Sequence, residues 1–449
     1  LFKEFFSSVD FILKYIDIKN PSAPFSSLLI NCKSALPLEL VDSIVEKQIR
    51  GNICEYNEKF HIVFNRSKAA LFITNSNHPK SKSLLSQLIH QIPKESIHKM
   101  IHINDSPWHV DLEGEGAADA GGPARELFSQ VCQEFMNPIS NYFMRTPNGI
   151  NGIGDNQDIL IPNPYNLDEE KQRDLFYIGA IIGCAYTSKL SQPFQFAKLF
   201  WYYLINKKLK IKHVYEIDEK FKNFKKDILE STKEVFDSLN ITYTVYDSGY
   251  HIVELVDYGK MKKVNYEDRF HYCDLCEKYR INEFNQFLDI ISKGLQVIIG
   301  NSTILLTPSN LQLLLCGDME ISAETIKKFI KFDNPKINGI DYDKMFLEVL
   351  NRYSSDERML LIKFVSGRTT LPILDWAIKI NVSFIVELHP DSKLPTATTC
   401  SSRITIPNYS NIDILEKNLR IAFTFGVDIE EDHDPDFEQI GRASCRERV

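Results

Sequence analysis

The sequence predicts an α+β fold that is mainly helical and ends in a compact α/β segment at residues 340–430. Apolar residues recur at helical spacing through much of the chain, as in residues 83–92. Strand-like alternation is confined to short segments such as residues 241–246. Near the end of the chain, Cys400 lies between two prolines with β-favouring residues on either side. These patterns favour many helices around small sheets.

Composition limits the class of protein. The chain has 449 residues, of which 43% are hydrophobic and 25% charged, so we expect a globular protein of about two to four domains. A net charge of -8 argues against a nucleic-acid-binding surface. Nine dispersed cysteines indicate reduced thiols. We therefore expect the protein to be located in the cytoplasm, with the nucleus as a second location. The longest apolar run, about twelve residues, is too short to span a membrane.

The two ends of the chain have separate interpretations. Because the first residue is Leu1, we expect a fragment of a longer protein. Residues 1–60 form an N-terminal extension of unclear role, with helical patterns at residues 1–6, 11–16 and 38–49. We interpret residues 431–449 as an acidic tail followed by an artefactual end at 441–449. That end contains Cys445, which we therefore expect to play no part in the fold.

Residues 108–128 predict a strand, a glycine-rich turn and a helix. Gly121, Gly122 and Pro123 suit a tight turn followed by a first helical turn. A phosphate-binding loop is disfavoured, because the Lys-Ser/Thr pair that contacts phosphate and metal is absent.

The next segments alternate between an expected loop and expected helices. Residues 137–171 are rich in Asn, Gly, Pro and Asp and predict a long loop. Residues 173–186 predict a helix in which Gly179 and Gly183 allow another element to approach closely. A further apolar and aromatic helix is expected at residues 194–204.

Residues 205–285 are more charged and predict a small α+β subdomain. Cys273 and Cys276 within it could suggest a metal site, but no second ligand pair follows at zinc-ribbon spacing. We therefore expect both thiols on a helix at residues 266–284. No metal and no cofactor are expected in this chain.

A polar stretch at residues 333–339 contains proline and glycine and separates two helical patterns, which is typical of a linker. Helices are expected at residues 345–350 and 357–368, and a strand at residues 384–388.

The segment around Cys400 predicts an accessible thiol. Thr396, Thr398 and Thr399 are β-branched and favour an extended backbone, and residues 404–406 predict a short strand. Cys400 is therefore expected at the start of a strand or in the loop before it, outside any helix. A cysteine thiol is nucleophilic even when only a few per cent is thiolate, so it suits acyl transfer from a thioester to an amine.

The sequence motifs around this cysteine resemble those of a known protein family. Leu394-Pro-Thr-Ala-Thr-Thr-Cys400, followed by Ile406-Pro-Asn-Tyr409, is similar to the active-site segment of HECT-type ubiquitin ligases. The family pattern is Leu-Pro-x-x-x-Thr-Cys and then Leu-Pro-x-Tyr. Ser401 stands where the family usually has Phe. Further phrases resemble the family in the same order, and they begin at Asn65, Gly114, Leu160 and Cys316. The Gly-Glu-Gly-Ala-x-Asp-Ala-Gly-Gly-Pro version is typical of large HERC-like members.

The resemblance covers about residues 61–430 and implies a bilobed HECT-like domain. It implies a mainly helical N-lobe at residues 61–332, in which residues 205–285 dock a ubiquitin-conjugating enzyme. A hinge at residues 333–339 and a C-lobe at residues 340–430 would follow. Expected partners are the conjugating enzyme, ubiquitin and a protein substrate.

The resemblance also implies a reaction and a set of residues. Cys400 would receive ubiquitin as a thioester and pass it to a substrate lysine. Thr399, Arg368 and Asp428 are the candidates for assisting transfer. The second arginine of the family phrase around Arg368 is Thr370 here.

Two other functions stay open at this point. A cysteine hydrolase would need a positioned histidine, and His389 is near Cys400 in sequence. Alternatively, the domain is a catalytically inactive scaffold that binds ubiquitin, because a fold does not guarantee activity.

Overall fold

The computed structural model describes residues 24–51, 58–74, 83–113, 122–318, 321–368, 370–374 and 379–425. The helical patterns at residues 1–6 and 11–16, most of the Gly114 phrase and Asp428 lie outside the described residues. The α+β class is confirmed, and the buried apolar residues fall into three separate clusters. None of the described helices is long and apolar enough for a membrane span.

The first cluster, here the first core, is built mainly from helices. Its helices are α1 (Pro24–Asn31), α2 (Leu38–Arg50), α3 (Arg66–Thr74), α4 (Leu84–Gln91), α5 (Gly122–Met136), α7 (Glu169–Thr187) and α8 (Lys198–Asn206). The short helix α6 (Pro147–Asn151) lies in the sequence between α5 and α7. Two later helices complete it, and we label them α13 (Asn285–Ile299) and α14 (Pro308–Cys316). Parallel strands β1 (Phe60–Phe64) and β2 (Trp108–Leu112) and antiparallel strands β3 (Phe143–Arg145) and β4 (Leu160–Pro162) accompany them.

Helix α7 packs against α13 at very short range. A Cβ atom on Gly179 would overlap the carbonyl oxygen of Ile291, and one on Gly183 would lie 2.7 Å from Cβ of Ile298. The close approach predicted at these two glycines is confirmed. Because any side chain would separate the helices, these glycines set how the centre of the first core is packed.

The N-terminal extension belongs to this core in its described part. Helix α2 confirms the pattern expected at residues 38–49, and it buries Val41, Ile44 and Val45. The chain from α1 to α2 is therefore a structural part of the first core.

The expected loop at residues 137–171 has more structure than the composition indicated. Thr146 caps α6, since its hydroxyl accepts a 3.0 Å hydrogen bond from the Gly149 amide, and Pro147 suits the first helical position. The short strands β3 and β4 pair across the same segment. The composition misled because Asn, Gly and Pro are also the residues that cap and terminate short elements. Helix α8 begins at Lys198, four residues later than expected. The residues before it are extended, because Phe196 forms a parallel β-bridge with Leu160.

The second core lies in the expected α+β subdomain. It contains α9 (Ile211–Tyr215), α10 (Glu219–Glu230), α11 (Lys233–Ser238), α12 (Arg269–Asn282) and the antiparallel pair β5 (Thr244–Tyr246) and β6 (Ile252–Glu254). Cys273 and Cys276 are buried on α12 as expected, and burial raises the pKa of Cys273 to about 11. No group of metal-binding side chains occurs among the described residues.

The third core surrounds a four-stranded sheet. The four strands of this sheet are β7 (Ile330–Asp333), β10 (Ile380–Ile385), β11 (Thr396–Thr398) and β12 (Arg403–Pro407), and a separate hairpin is formed by β8 (Lys336–Ile337) and β9 (Ile340–Asp341). The helices of the third core are α15 (Ala323–Phe329), α16 (Tyr342–Arg352), α17 (Ser355–Ser366) and α18 (Ile412–Phe425). The sheet order is β11-β12-β10-β7, in which β10 is parallel to both of its neighbours and β11 is antiparallel to β12.

The expected hinge at residues 333–339 needs correction. Strand β7, before this segment, already pairs with β10 of the third core. The segment itself leads into the β8–β9 hairpin, whose turn residues Asn338 and Gly339 have φ of 51° and 85°, as a type I′ turn requires. The chain passes from the first core to the third between Cys316 and Ile321 instead.

Candidate functional site

Cys400 lies in a tight turn at one end of the third core's sheet. Residues Thr399–Ser401 form a single 3₁₀ turn between β11 and β12, and Ser402 closes it in the left-handed conformation with φ of 46°. The Ser402 amide donates to the Thr399 carbonyl at 3.3 Å, and the Asn381 amide of β10 donates to the Ser402 carbonyl at 2.9 Å. Cys400 precedes a strand as expected, but it lies within a single 3₁₀ helical turn and not outside any helix.

The turn is held by strands and by one buried tyrosine. Thr398 is paired with Arg403 across the β11–β12 hairpin, so the turn closes a short loop. Tyr409 is fully buried, and its hydroxyl donates to the Lys393 carbonyl at 2.7 Å. The Ile-Pro-Asn-Tyr phrase therefore anchors the segment that leads into β11.

Two arginines from different cores lie beside the turn. Arg125 on α5 approaches the Thr399 carbonyl oxygen with its Nη2 at 3.5 Å. Arg368, which follows α17, donates from Nη1 to the carbonyl oxygen of Lys189 in the first core. Between Arg368 and the end of α17, Gly367 has φ of 67°, and a Cβ atom there would lie 3.9 Å from Cβ of Thr399. The candidate residues Thr399 and Arg368 are thus brought together.

This junction between the cores is polar and buried. Burial and the nearby charge of Arg125 lower the pKa of Arg368 to about 10, so the Arg368 guanidinium group stays charged at neutral pH. Within the described part of the chain, Arg368 Nε and Thr370 Oγ1 are buried and make no hydrogen bond, and the same holds for Ser188 Oγ and Ser191 Oγ, on either side of Lys189 in the sequence. Unsatisfied buried donors and positive charge favour an anionic group at this junction.

Arg125 was not among the residues predicted to act. Thr370 stands where the family has its second arginine, and its side chain is fully buried. The second guanidinium beside the turn comes instead from Arg125, 275 residues before Cys400. Its sequence signal is the Gly-Gly-Pro-Ala-Arg motif at residues 121–125, from which we predicted only a turn and the start of a helix.

His389 is not brought to Cys400. Strand β10 runs parallel to β12 from Asn381 to Ile385, and the Cys400 turn lies at the start of that paired segment. His389 follows the other end of β10 and is exposed. The paired segment is roughly 13 Å long at the usual rise per residue. A catalytic pair of Cys400 and His389, as in a cysteine hydrolase, is therefore not supported.

The second core carries exposed apolar side chains on one face. Tyr246 and Ile252 are directly opposite each other on β5 and β6, and both are more than half exposed. Tyr258 and Met261, in the segment that follows β6, are also exposed, and Gly259 between them lies close to Tyr243 and Glu254 of the same hairpin region. We call Tyr246, Ile252, Tyr258 and Met261 the hairpin patch. A cluster of exposed large apolar residues is typical of a protein-binding surface.

Comparison with known proteins identifies one family. The family model described as HECT-domain (ubiquitin-transferase) matches residues 129–428. This range includes the Cys400 turn, the hairpin patch and Arg368, whereas Arg125 and helix α2 precede it.

Relatives from several organisms are similar over most of the chain. E3 ubiquitin-protein ligase HERC2 of Mus musculus is 25% identical over 402 residues, which cover 87% of this chain and 8% of that protein. E3 ubiquitin-protein ligase etc-1 of Caenorhabditis elegans is 26% identical over 331 residues, covering 70% of this chain and 32% of that protein. Apoptosis-resistant E3 ubiquitin protein ligase 1 of Mus musculus is 23% identical over 394 residues, which cover 83% of this chain and 46% of that protein. The chain thus spans less than half of each of these relatives.

Proposed function

Because the chain belongs to the HECT-domain family of ubiquitin transferases, we propose that Cys400 carries ubiquitin as a thioester between a conjugating enzyme and a substrate lysine. In the first step, the Cys400 sulfur attacks the carbonyl carbon of the conjugating enzyme's ubiquitin thioester, and that enzyme's thiolate leaves. In the second step, a lysine nitrogen attacks the new thioester, the Cys400 thiolate leaves, and the proton lost by the amine is transferred to a base. Both steps exchange one acyl bond for another, so neither needs a metal or cofactor.

The observation that carries this proposal is the position of Cys400 in a turn at the junction of two cores. The turn connects β11 to β12 outside any α-helix, and the residue after Cys400, Ser401, is exposed. Each step passes through a tetrahedral intermediate with a negatively charged oxygen. Arg125 and Arg368 supply positive charge beside the turn, and such preorganised charge stabilises a developing oxyanion.

The remaining candidates receive narrower roles. Thr399 holds the turn through its carbonyl oxygen, which accepts hydrogen bonds from Ser402 and from Arg125. Asp428, which precedes the acidic tail in the sequence, is proposed as the base that takes up the proton of the attacking amine, since a carboxylate can accept a proton in this way.

The three cores suggest how the partners are arranged. The first core corresponds to the N-lobe, the second core to the docking subdomain, and the third core from residue 321 onward to the C-lobe. We propose that the hairpin patch binds the conjugating enzyme, because its apolar side chains are exposed in the second core.

The test is formation of the thioester. With activating enzyme, conjugating enzyme, ATP and ubiquitin, the protein should form an adduct that thiol reductants cleave. Cys400→Ala should abolish the adduct, and Cys400→Ser should yield a reductant-resistant ester. The matched control is Cys32→Ala, since Cys32 is an exposed thiol in the first core.

Two results would contradict the proposal. If Cys400→Ala kept the adduct, another residue would be the acceptor. If a panel of active conjugating enzymes failed to charge the intact chain while ubiquitin still bound, the inactive-scaffold function would be favoured.

A further inference from the structure

A chain of polar contacts connects helix α2 to the end of α7. Asp42 is buried, and its Oδ1 accepts a 2.6 Å hydrogen bond from the Tyr186 hydroxyl. The same oxygen lies 3.4 Å from Nζ of Lys189, and Glu46 Oε2 lies 3.6 Å from that nitrogen. The Lys189 side chain is only 11% exposed, so these two carboxylates of α2 fix the position of its ammonium group.

Lys189 has an unusual backbone conformation that these contacts support. It follows the end of α7 with φ of 52°, in the left-handed region that non-glycine residues seldom adopt. Its amide donates to the Tyr186 carbonyl at 3.2 Å, and its Nζ lies 4.3 Å from the centre of the Tyr186 ring. Contacts at both its backbone and its side chain hold Lys189 in this strained state.

The carbonyl oxygen of Lys189 accepts the hydrogen bond from Arg368 of the third core. Arg368 is adjacent to Gly367, which packs against Thr399, the residue before Cys400. Ion pairs and a hydrogen bond therefore link Asp42 and Glu46 through Lys189 to Arg368, and the neighbouring Gly367 brings Arg368 close to the Cys400 turn.

We propose that Asp42 and Glu46 are positioning residues that hold Lys189 as a latch for Arg368, and that this latch selects the orientation of the third core in which Cys400 transfers ubiquitin to an amine. This inference rests on the proposed function. It assigns a role in the reaction to α2, which precedes the residues that the family model matches.

The geometry of α7 indicates which step the latch serves. Tyr165, just before α7, accepts a 2.9 Å hydrogen bond from the Gly249 amide in the hairpin of the second core. Lys189 lies just beyond the other end of α7, whose 19 residues span about 28 Å. The latch thus keeps the Cys400 turn far from the second core's hairpin, where we propose that the conjugating enzyme docks. Charging of Cys400 needs the third core to leave the latch, whereas transfer to an amine does not.

The experiment separates the two half-reactions. The variants are Asp42→Asn combined with Glu46→Gln, and separately Lys189→Met. Glu39→Gln is the matched control, because Glu39 is exposed on the same helix. Single-turnover charging of Cys400 is measured first, and then discharge of the preformed Cys400 thioester to free lysine.

We expect charging to stay within about twofold or to become faster, and discharge to slow by about fivefold or more, the low end of typical coupling between two sites. Lys189→Arg should retain most of the discharge rate, since it keeps the positive charge. The control variant should match the wild type in both steps.

A purely structural role of α2 would lower both rates by the same factor and reduce the thermal unfolding midpoint, and that result would overturn the latch. Unchanged discharge in folded variants would also overturn it. If the wild type charges on Cys400 and the variants show no difference between the steps, only this inference fails. If the wild type does not charge, the proposed function fails first.

Discussion

Arg125 of the first core and Thr399 of the third core meet at the Cys400 turn, with Nη2 of Arg125 3.5 Å from the Thr399 carbonyl oxygen. This contact joins two separately packed bodies at the residue that precedes Cys400. A charged donor that reaches a backbone carbonyl across such a junction can order the turn and stabilise nearby negative charge.

We therefore predict that Arg125→Gln slows discharge of the Cys400 thioester to lysine. The contact is long, so we expect a loss of about tenfold, below the 10²–10³ typical of an oxyanion-hole donor. Single-turnover discharge is the measurement, and Arg145→Gln is the control because Arg145 is exposed. A discharge rate within twofold of the wild type would mean that Arg125 only bridges the cores.

The hairpin patch should control charging and leave discharge alone. Replacing Tyr246 and Ile252 with serine removes two exposed apolar side chains that face the same way. Because loss of central apolar contacts commonly costs more than 1 kcal/mol each, we expect charging to fall by roughly tenfold or more at a fixed concentration of conjugating enzyme. Ile139→Ser, at an exposed apolar residue of the first core, is the matched control. If saturating conjugating enzyme did not restore charging, a binding role for the patch would be wrong.

A buried ion-pair cluster stabilises the second core. Arg280 is 1% exposed and donates to Asp218 and to Glu283 at 2.9 Å each, and to the Ser248 hydroxyl at 2.9 Å. Arg280→Met would leave two buried carboxylates without their cation, which typically costs about 3–5 kcal/mol. We expect the second core to unfold at a lower urea concentration than the first core.

The comparison for this prediction is Arg352→Gln. Arg352 forms ion pairs with Glu348, Asp413 and Glu416 on the surface of the third core, and exposed pairs contribute about 0–1 kcal/mol. Urea unfolding followed by far-ultraviolet circular dichroism measures both variants. Equal stability of Arg280→Met and Arg352→Gln would contradict the assigned role of the buried cluster.

The connection between the first and third cores depends on Gly317. Its φ is 73°, a Cβ atom would overlap the Leu371 carbonyl oxygen, and the Asp318 amide donates to that same carbonyl at 2.7 Å. Gly317→Ala should therefore break this bridge as well as strain the backbone. Gly152→Ala is the control, because Gly152 also has positive φ, at 62°, but has open space around its Cα.

We expect Gly152→Ala to cost about 1–2 kcal/mol, the usual penalty for the left-handed conformation, and Gly317→Ala to cost more. The difference between the two free energies of unfolding measures the clash and the lost hydrogen bond. Equal costs would mean that the connection adapts without loss. The corresponding change at Gly339 should weaken the third core only, since this residue lies in the β8–β9 turn.

The sequence by itself determined the local setting of the candidate nucleophile. β-branched residues before Cys400 and an Ile-Thr-Ile strand after it restrict the backbone within a few residues, so the turn could be predicted without knowing its neighbours. The helical spacing of α2 and the glycine pair on α7 were predictable for the same reason, because each pattern lies within one helix.

Only the tertiary structure decided which distant residues share the site and where the cores are joined. Residues 333–339 have the composition of a linker. However, β7, which ends at Asp333, pairs with β10 about fifty residues later, so this segment belongs to the third core. Arg125, Lys189 and Asp42 are likewise brought toward Cys400 by packing between elements far apart in the chain. Such contacts depend on how whole elements pack, and local backbone preference does not encode that packing.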